Sequence, residues 1–445
     1  MPDWLNTGMT TRVALLWLLL LACVSPLVAL AQPAAEGGTP VFAVVMTRHG
    51  VRSFTHTPAA YTWPDWSPVA PGYLSAHGYR LMTYFGRYYR SYFDSIGLPM
   101  GCASHGTYVY ADLDQRTLET GRALIDGACG SPDALALYHD AQTGPDVNDP
   151  LFDSADWLVA AGKVDPSASK AAVSAAMPPA IVSQHVTNFA ALQSILDTRC
   201  SGTCPPVTAG DSTIETGKGL AELRGPVTTG ASYAESLFLE QAQCAPAINP
   251  DALAAAMQLH VLEYDVNARN TYNSQVRGGN IFAHIVGLLE EKAGMQHPDV
   301  TVPDVSHDNV AVISGHDSQL GALGGILSAH WALSEGLVAD DMPPGGALIF
   351  ELYKANGGAY RVRLKFAYQT LAQFRHASEL PNGISLVPVR FAGCSGNDCS
   401  APLETFAVLA HTIAERGFVQ QAWTSASDAA LTFPSLGDPA WTRCD

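Results

Sequence analysis

The chain has 445 residues, 47% of them apolar and only 15% charged, a composition that builds a large core and excludes a disordered protein. A formal net charge of −17 without any Lys/Arg run excludes nucleic acid as a partner. The same acidity repels anions, so any anion chemistry requires a local arginine pocket.

At the N-terminus, Arg12 is followed by VALLWLLLLACVSPLVALAQP, an apolar run that reaches Ala29-Leu30-Ala31 before Gln32. This predicts a secretory signal peptide over residues 1–31 rather than a membrane anchor. The mature protein is then periplasmic or secreted, with no stable membrane insertion after cleavage, because no later stretch is apolar enough to span a bilayer. Two alternatives stay open: a start at Met9, whose Met-Thr-Thr-Arg makes a more ordinary n-region, and a lipoprotein anchored through Cys23. Cleavage leaves eight cysteines, an even number that favours disulfides in an exported chain. The expected pairs are Cys102–Cys129, Cys200–Cys204 and Cys394–Cys399 locally, leaving Cys244–Cys444 to tie down the C-terminus, although spacing alone does not fix the connectivity. A metal reading of Cys200-x-x-x-Cys204 lacks a second ligand pair.

A Pro/Ala/Gly-rich linker, 32–40, leads to a buried strand at Val41–Thr47. Helical periodicity follows over 77–96, then a second strand at 107–112 (TYVYAD). The helix DQRTLETGRALIDG comes next, with Asp114 as its N-cap. Residues 146–305 carry Ala-rich helical stretches with Pro/Gly breaks and few strand signals, which predicts an inserted all-helical cap domain. The strand–helix pattern returns at 309–330, NVAVISGHDSQLGALGGILSAH. GGALIFELYK and AYRVRLKFAYQ then flank Asn356-Gly357-Gly358, a hairpin signal, and LETFAVLAHTIAERG is the last helix. The expected fold is α/β: a mixed, mainly parallel sheet covered by helices, assembled from residues 41–145 and 306–445, with the cap at 146–305.

Two predicted strands end in chemistry. The first delivers Arg48-His49-Gly50-Val51-Arg52, and the second delivers Gly315-His316-Asp317 just before a helix. In open α/β sheets ligands bind outside the carboxyl ends of strands, so both histidines face one crevice if the strands are neighbours. Arg116 follows a third strand end at Ala111-Asp112. Arg48, Arg52 and Arg116 are forks matched to a tetrahedral oxyanion such as phosphate. A neutral His49 among them can act as a nucleophile, since the arginine charges disfavour its imidazolium. His316 completes the phosphate clamp, and Asp317 is the acid suited to protonating a departing alkoxide. Those arginines also pull the Asp317 pKa down, so burial or distance has to offset them. Singly, each residue has an ordinary reading: a strand-end charge, a core histidine, a helix charge, or, for Asp317, an N-cap. The combination carries the reading.

Arg48-His49-Gly50-Val51-Arg52 with His316-Asp317 resembles the histidine acid phosphatase family (histidine phosphatase superfamily, branch 2), which includes periplasmic and fungal phytases. ADLDQRTLETG is similar to the family segment that supplies the third arginine, Arg116. GHDSQLGALGG followed by MPPGGALIFE is similar to the bacterial members in order and spacing. The resemblance implies a phosphohistidine mechanism that uses no metal or other cofactor. In it His49 is the nucleophile, Asp317 the proton donor, and Arg48, Arg52, Arg116 and His316 the phosphate ligands. The partner is a small phosphate monoester: phytate, a related sugar or inositol phosphate as in glucose-1-phosphatase relatives, or a broad range. A non-catalytic phosphate-ester-binding protein and a metal-dependent phosphatase are the competing classes, and the oligomeric state stays open.

Departures from the family pattern concern specificity. Phe54 stands where the family usually has proline, and its ring is expected to narrow or line the pocket. Thr55-His56, expected to contact the substrate, replaces the Thr-Lys of many bacterial phytases, which removes one fixed positive charge. Ser318-Gln319 replaces the Thr-Asn common after His-Asp. By similarity of flanking sequence, Glu235 and Arg277 are the cap residues expected to face substrate, with an ordinary helix-surface role as the alternative.

Overall fold

The β-branched run before Arg48 forms β1 (Thr39–Arg48), buried from Phe42 onward on both faces, as a central strand of a covered sheet must be. The computed structural model describes residues 38–56, 60–102, 106–130, 136–138, 149–217, 219–376, 383–396, 398–423 and 435–444. The expected signal peptide, its Cys23 alternative and most of the linker lie outside the described residues. Among these residues no helix is long and apolar enough to cross a membrane.

After β1 come α1 (Ala76–Ser95), β2 (Thr107–Ala111), α2 (Gln115–Cys129) and β3 (Ala136–Tyr138). The insert then supplies α3 (Ser154–Ala160), α4 (Pro166–Ala176), α5 (Ile181–Gln184), α6 (Val186–Asp197), β4 (Thr213–Gly217), β5 (Leu220–Arg224), α7 (Pro226–Ala242), α8 (Pro250–Asn267) and α9 (Asn273–Ala293). The chain closes with β6 (Val310–Gly315), α10 (Asp317–Leu327), β7 (His330–Trp331), β8 (Ala347–Lys354), β9 (Tyr360–Tyr368), α11 (Leu371–His376), β10 (Ser385–Arg390), β11 (Ser400–Pro402) and α12 (Leu403–Glu415).

The main sheet runs β3-β2-β6-β1-β8-β9-β10-β7, with β11 beside β9. It is mixed, as expected. Its parallel block is β3-β2-β6-β1, while β8, β9 and β10 continue it antiparallel, β8 and β9 joined through the Asn356–Gly358 turn. Alternation along β1 fixes the layers. Phe42, Val44 and Met46 join a core with Ile281, Ile285, Leu320 and Phe406 from α9, α10 and α12. Ala43 and Val45 turn to the opposite face, against Phe85, Tyr89 and Leu124 of α1 and α2.

The expectation of an all-helical insert is corrected in two respects. β4 and β5 form a two-stranded antiparallel hairpin within it, because Thr213–Gly217 and Leu220–Arg224 flank a turn at Gly219 (φ +90°) that favours glycine. Moreover, α9 packs on the sheet layer with α10, α12 and β1, since its Ile281, Phe282, Ile285 and Leu288 are all fully buried. The other large helices of the insert, α6, α7 and α8, share a separate core built on Phe189, Leu237, Phe238 and Leu259.

Four disulfides join Cys102–Cys129, Cys200–Cys204, Cys244–Cys444 and Cys394–Cys399. Cys244–Cys444 spans 200 residues and closes the longest loop, so it removes the most entropy from the unfolded chain. Cys244→Ser is expected to cost about 2–5 kcal/mol of folding stability. Denaturant unfolding checks it: the same change in Cys200→Ser, which opens a loop of 4 residues, would refute the loop-length argument.

Candidate active site

The parallel register of β1 and β6 pairs Arg48 with Gly315, so the next residues, His49 and His316, leave adjacent strand ends together. The His49 N–H donates to the Gly315 carbonyl at 2.9 Å. On the far side of β6, Ala111 of β2 pairs with Ser314, which puts Asp112 at the same level. Two glycines let α1 close on the loop after β1. A Cβ at Gly78 would lie 2.1 Å from the Val51 carbonyl oxygen, and one at Gly50 would lie 2.8 Å from Met82 Cγ.

The crevice is a cavity of about 450 Å³ lined by His49, Arg52, Asp112, Leu113, Asp114, Arg116, Asp153, His316, Asp317 and Ser318, a size suited to one small ligand. His49 is 2% exposed and its ring centroid lies 5.5 Å from that of His316. His49 Nδ1 is 2.9 Å from the Gly50 carbonyl. A carbonyl only accepts, so Nδ1 carries the proton and Nε2 the lone pair. Burial, then Arg116, Arg52, Arg48 and His316, hold the His49 pKa well below the usual histidine value.

Every basic side chain of the clamp has a carboxylate partner. Arg48, 1% exposed, donates from Nη1 to the Met342 carbonyl at 2.5 Å and pairs through Nη2 with Glu235 and with Asp317 Oδ2 at 2.8 Å. Arg52 reaches the same Glu235 oxygen at 3.3 Å. Arg116 pairs with Asp114 at 2.6 Å, and His316 Nε2 donates to Asp112 Oδ2 at 2.6 Å. Asp114 is the N-cap residue of α2, as expected, but its side chain makes no capping hydrogen bond because it is drawn to Arg116. Asp317 is the first residue of α10 rather than its cap: His316 holds the cap position, and its N–H donates to Gln319 Oε1 at 2.9 Å.

Burial would raise the Asp317 pKa, but Arg48, His260, a hydrogen bond from Tyr264 and Arg52 outweigh it and hold the carboxyl below the usual range. The offset that a proton donor needs is therefore not supplied by the surroundings of the free site. Glu235 is held low in the same way, with Arg52 and Arg48 overcoming burial.

Of the cap residues, Glu235 is drawn into the clamp, whereas Arg277 pairs with Glu222 of the hairpin. Thr55 and His56 are exposed on the loop after β1 and do not line the cavity. Phe54 also departs from expectation. It is buried against Trp63 and Trp66, centroids 5.7 and 5.2 Å away, and Leu239, outside the cavity lining. Burying an aromatic ring in that cluster recovers far more apolar area than leaving it at a wet, polar rim.

Sequence reasoning missed a layer beneath the clamp. His260 and Tyr264, one turn apart on α8, reach Asp317 and Glu235: ligand atoms of Glu235, His260 and Asp317 lie within 4.8 Å of one another. Asp341 holds His260 Nδ1 at 3.1 Å. Burial disfavours the His260 imidazolium, but Asp341 and Glu235 outweigh it and raise the pKa. The i, i+4 spacing of His260 and Tyr264 was readable; nothing in sequence ties it to residues 57 positions away. Asp112, Asp114 and Asp153 were missed as cavity residues, although Asp112-x-Asp114-x-Arg116 carried a legible signal.

The arrangement can hold a tetrahedral anion against a neutral imidazole with a carboxyl beside it. The histidine phosphatase superfamily (branch 2) family model matches residues 41–367. Phytase AppA of Escherichia coli (strain K12) is 29% identical over 388 residues, 79% of this chain and 86% of that protein. Hafnia alvei phytase in complex with myo-inositol hexakis sulphate superposes with a TM-score of 0.77 at 28% identity, covering 87% of this chain and 100% of that one. The phytase of Citrobacter braakii shares the fold, with a TM-score of 0.72 at 24% identity over 84% of this chain and 98% of its own. A family match over most of the chain, on a fold that brings its motifs to one crevice, makes this a phosphoric monoester hydrolase belonging to branch 2 of the histidine phosphatase superfamily.

Proposed function

We propose that the chain is an exported acid phosphomonoesterase that works through a phosphohistidine on His49, with Asp317 as proton donor. The observation that carries this is the state of His49: buried, its Nδ1 proton committed to Gly50, and its pKa held down by burial and three arginines. Nε2 attacks phosphorus, forming the P–N bond as the ester P–O bond breaks, and the leaving alkoxide takes the Asp317 proton. Water then attacks phosphorus and gives its proton to the Asp317 carboxylate, and the P–N bond breaks to restore His49. Arg48, Arg52, Arg116 and His316 hold the equatorial oxygens, where charge accumulates in the transition state. The apolar run at residues 1–31 supports export to the periplasm or beyond.

The named relatives are phytases, which supports inositol phosphates as a substrate class. The site's own charges favour smaller ones. Arg48, Arg52 and Arg116 are paired with Glu235, Asp317 and Asp114, and His316 with Asp112, so no surplus positive charge remains for further phosphates. His56 adds no fixed charge either.

A panel of phytate, glucose 1-phosphate and an aryl phosphate, across pH and with or without EDTA, tests this reading. The expected result is turnover in the acid range that EDTA leaves unchanged. Abolition by EDTA would refute the metal-free mechanism. Binding of phosphate esters without turnover of any would leave a phosphate-binding protein instead.

A further inference from the structure

Asp153 holds the N-cap position of α3 but its side chain makes no capping hydrogen bond. An aspartate there ordinarily accepts from the first helical N–H groups. Instead Asp153 lines the cavity together with His49, Arg116 and His316. Its backbone is fastened on several sides. The Asp153 N–H donates to the Asp149 carbonyl at 2.8 Å, and Gln319 Nε2 donates to the Phe152 carbonyl at 2.9 Å. The Asp149 carboxylate accepts from the Leu151 N–H at 2.8 Å and the Tyr110 hydroxyl at 2.6 Å. A Cβ at Gly315 would lie 2.8 Å from the Phe152 ring, so this turn packs directly on the end of β6. Asp153 is thus fixed to the same strand ends that carry Asp112 and His316.

Its neighbours are mostly acidic. Asp112 and Asp114 face it from the end of β2 and the start of α2, and Asp149 and Asp156 flank it on its own segment. Arg52, Arg116, His49 and His316 share the cavity, but Arg52, Arg116 and His316 are each paired with another carboxylate. Burial first, and then the four carboxylates, push the Asp153 pKa up to about 8. Below that value the side chain is a neutral hydrogen-bond donor, and above it an additional negative charge.

We propose that Asp153 selects the leaving group: protonated, it donates a hydrogen bond to the departing part of the substrate, and ionised, it repels leaving groups that carry further phosphates. This rests on the phosphomonoesterase reading above. It makes the choice between polyphosphorylated and singly phosphorylated polyols a function of pH, through a residue distinct from the nucleophile, the acid and the phosphate clamp.

Asp153→Asn keeps the shape and cannot ionise. kcat/KM for phytate and for glucose 1-phosphate is measured from pH 4.5 to 9.5, well past the Asp153 value of about 8, in wild type and variant, and the two proteins are compared at each pH so that substrate ionisation cancels. For phytate the variant-to-wild-type ratio should climb about 5- to 10-fold across the range, the size expected for one nearby charge in a partly wet site. For glucose 1-phosphate it should stay within about twofold of its starting value. Asp153→Ser, smaller and equally unable to ionise, should show the same climb, so the outcome does not depend on one variant folding. Ratios that are flat, or that move equally for both substrates, would overturn the inference, as would a phytate rate absent from all three proteins. Wild type without turnover of either substrate would instead overturn the phosphomonoesterase reading itself.

Discussion

His49→Ala is expected to lower kcat by about 10⁴-fold or more on every phosphate monoester, the scale seen when a covalent nucleophile is removed. It should also abolish an acid-labile, base-stable phosphoenzyme trapped by rapid denaturation of labelled substrate. No other side chain of the cavity replaces it. His316 has its Nε2 proton committed to Asp112 at 2.6 Å, and the remaining lining residues are arginines, carboxylates, a leucine and Ser318. Burial and the surrounding arginines keep His49 neutral as pH falls through the ordinary histidine range. The imidazolium forms only at lower pH, so the acid limb of kcat/KM should lie well below 6.5, the unperturbed value. Wild-type rates in the alanine variant, or a phosphoenzyme that survives the substitution, would end the phosphohistidine mechanism.

What could be read in advance was whatever a strand or helix period carries to a fixed end. A continuous apolar run marks β1, its end marks Arg48 and His49, and the same logic gives β6 with His316 and Asp317. That these ends meet required only that the two strands be neighbours, which the register of Arg48 with Gly315 realises. What stayed hidden depends on contacts between distant segments. His260 and Tyr264 lie on a helix whose sequence says nothing about which strand end it covers. Phe54 looked like a pocket residue because it stands where the family has a proline just after the core motif, yet Trp63 and Trp66 offer it a dry site. Asp114 read as a helix cap, and a nearby guanidinium took its carboxylate. Asp153 sits in an insert that carried few signals, and its place in the cavity comes from a turn fastened by Gln319 and Tyr110.

Asp317→Asn should separate chemistry from binding. In the free site Arg48 at 2.8 Å, His260, Tyr264 and Arg52 outweigh burial and keep this carboxyl ionised through the acid range. A bound phosphate changes that balance, because its oxygens share Arg48 and Arg52 and place negative charge beside the carboxylate. The proton can then arrive with the substrate, since a phosphate monoester retains one below its second pKa of about 6. On this account the preference for acid pH comes from the substrate monoanion and not from an elevated Asp317 pKa. The asparagine variant cannot pass that proton to the leaving oxygen. Its kcat on alkyl phosphates such as phytate should fall by about 10²- to 10⁴-fold, the usual worth of a general acid. An activated aryl phosphate, whose phenolate leaves without help, should lose far less. A series of leaving groups of rising pKa should therefore give a steeper decline in log kcat for the variant than for wild type. Parallel lines would show that Asp317 only positions Arg48, and the proton donor would have to be sought elsewhere in the cavity.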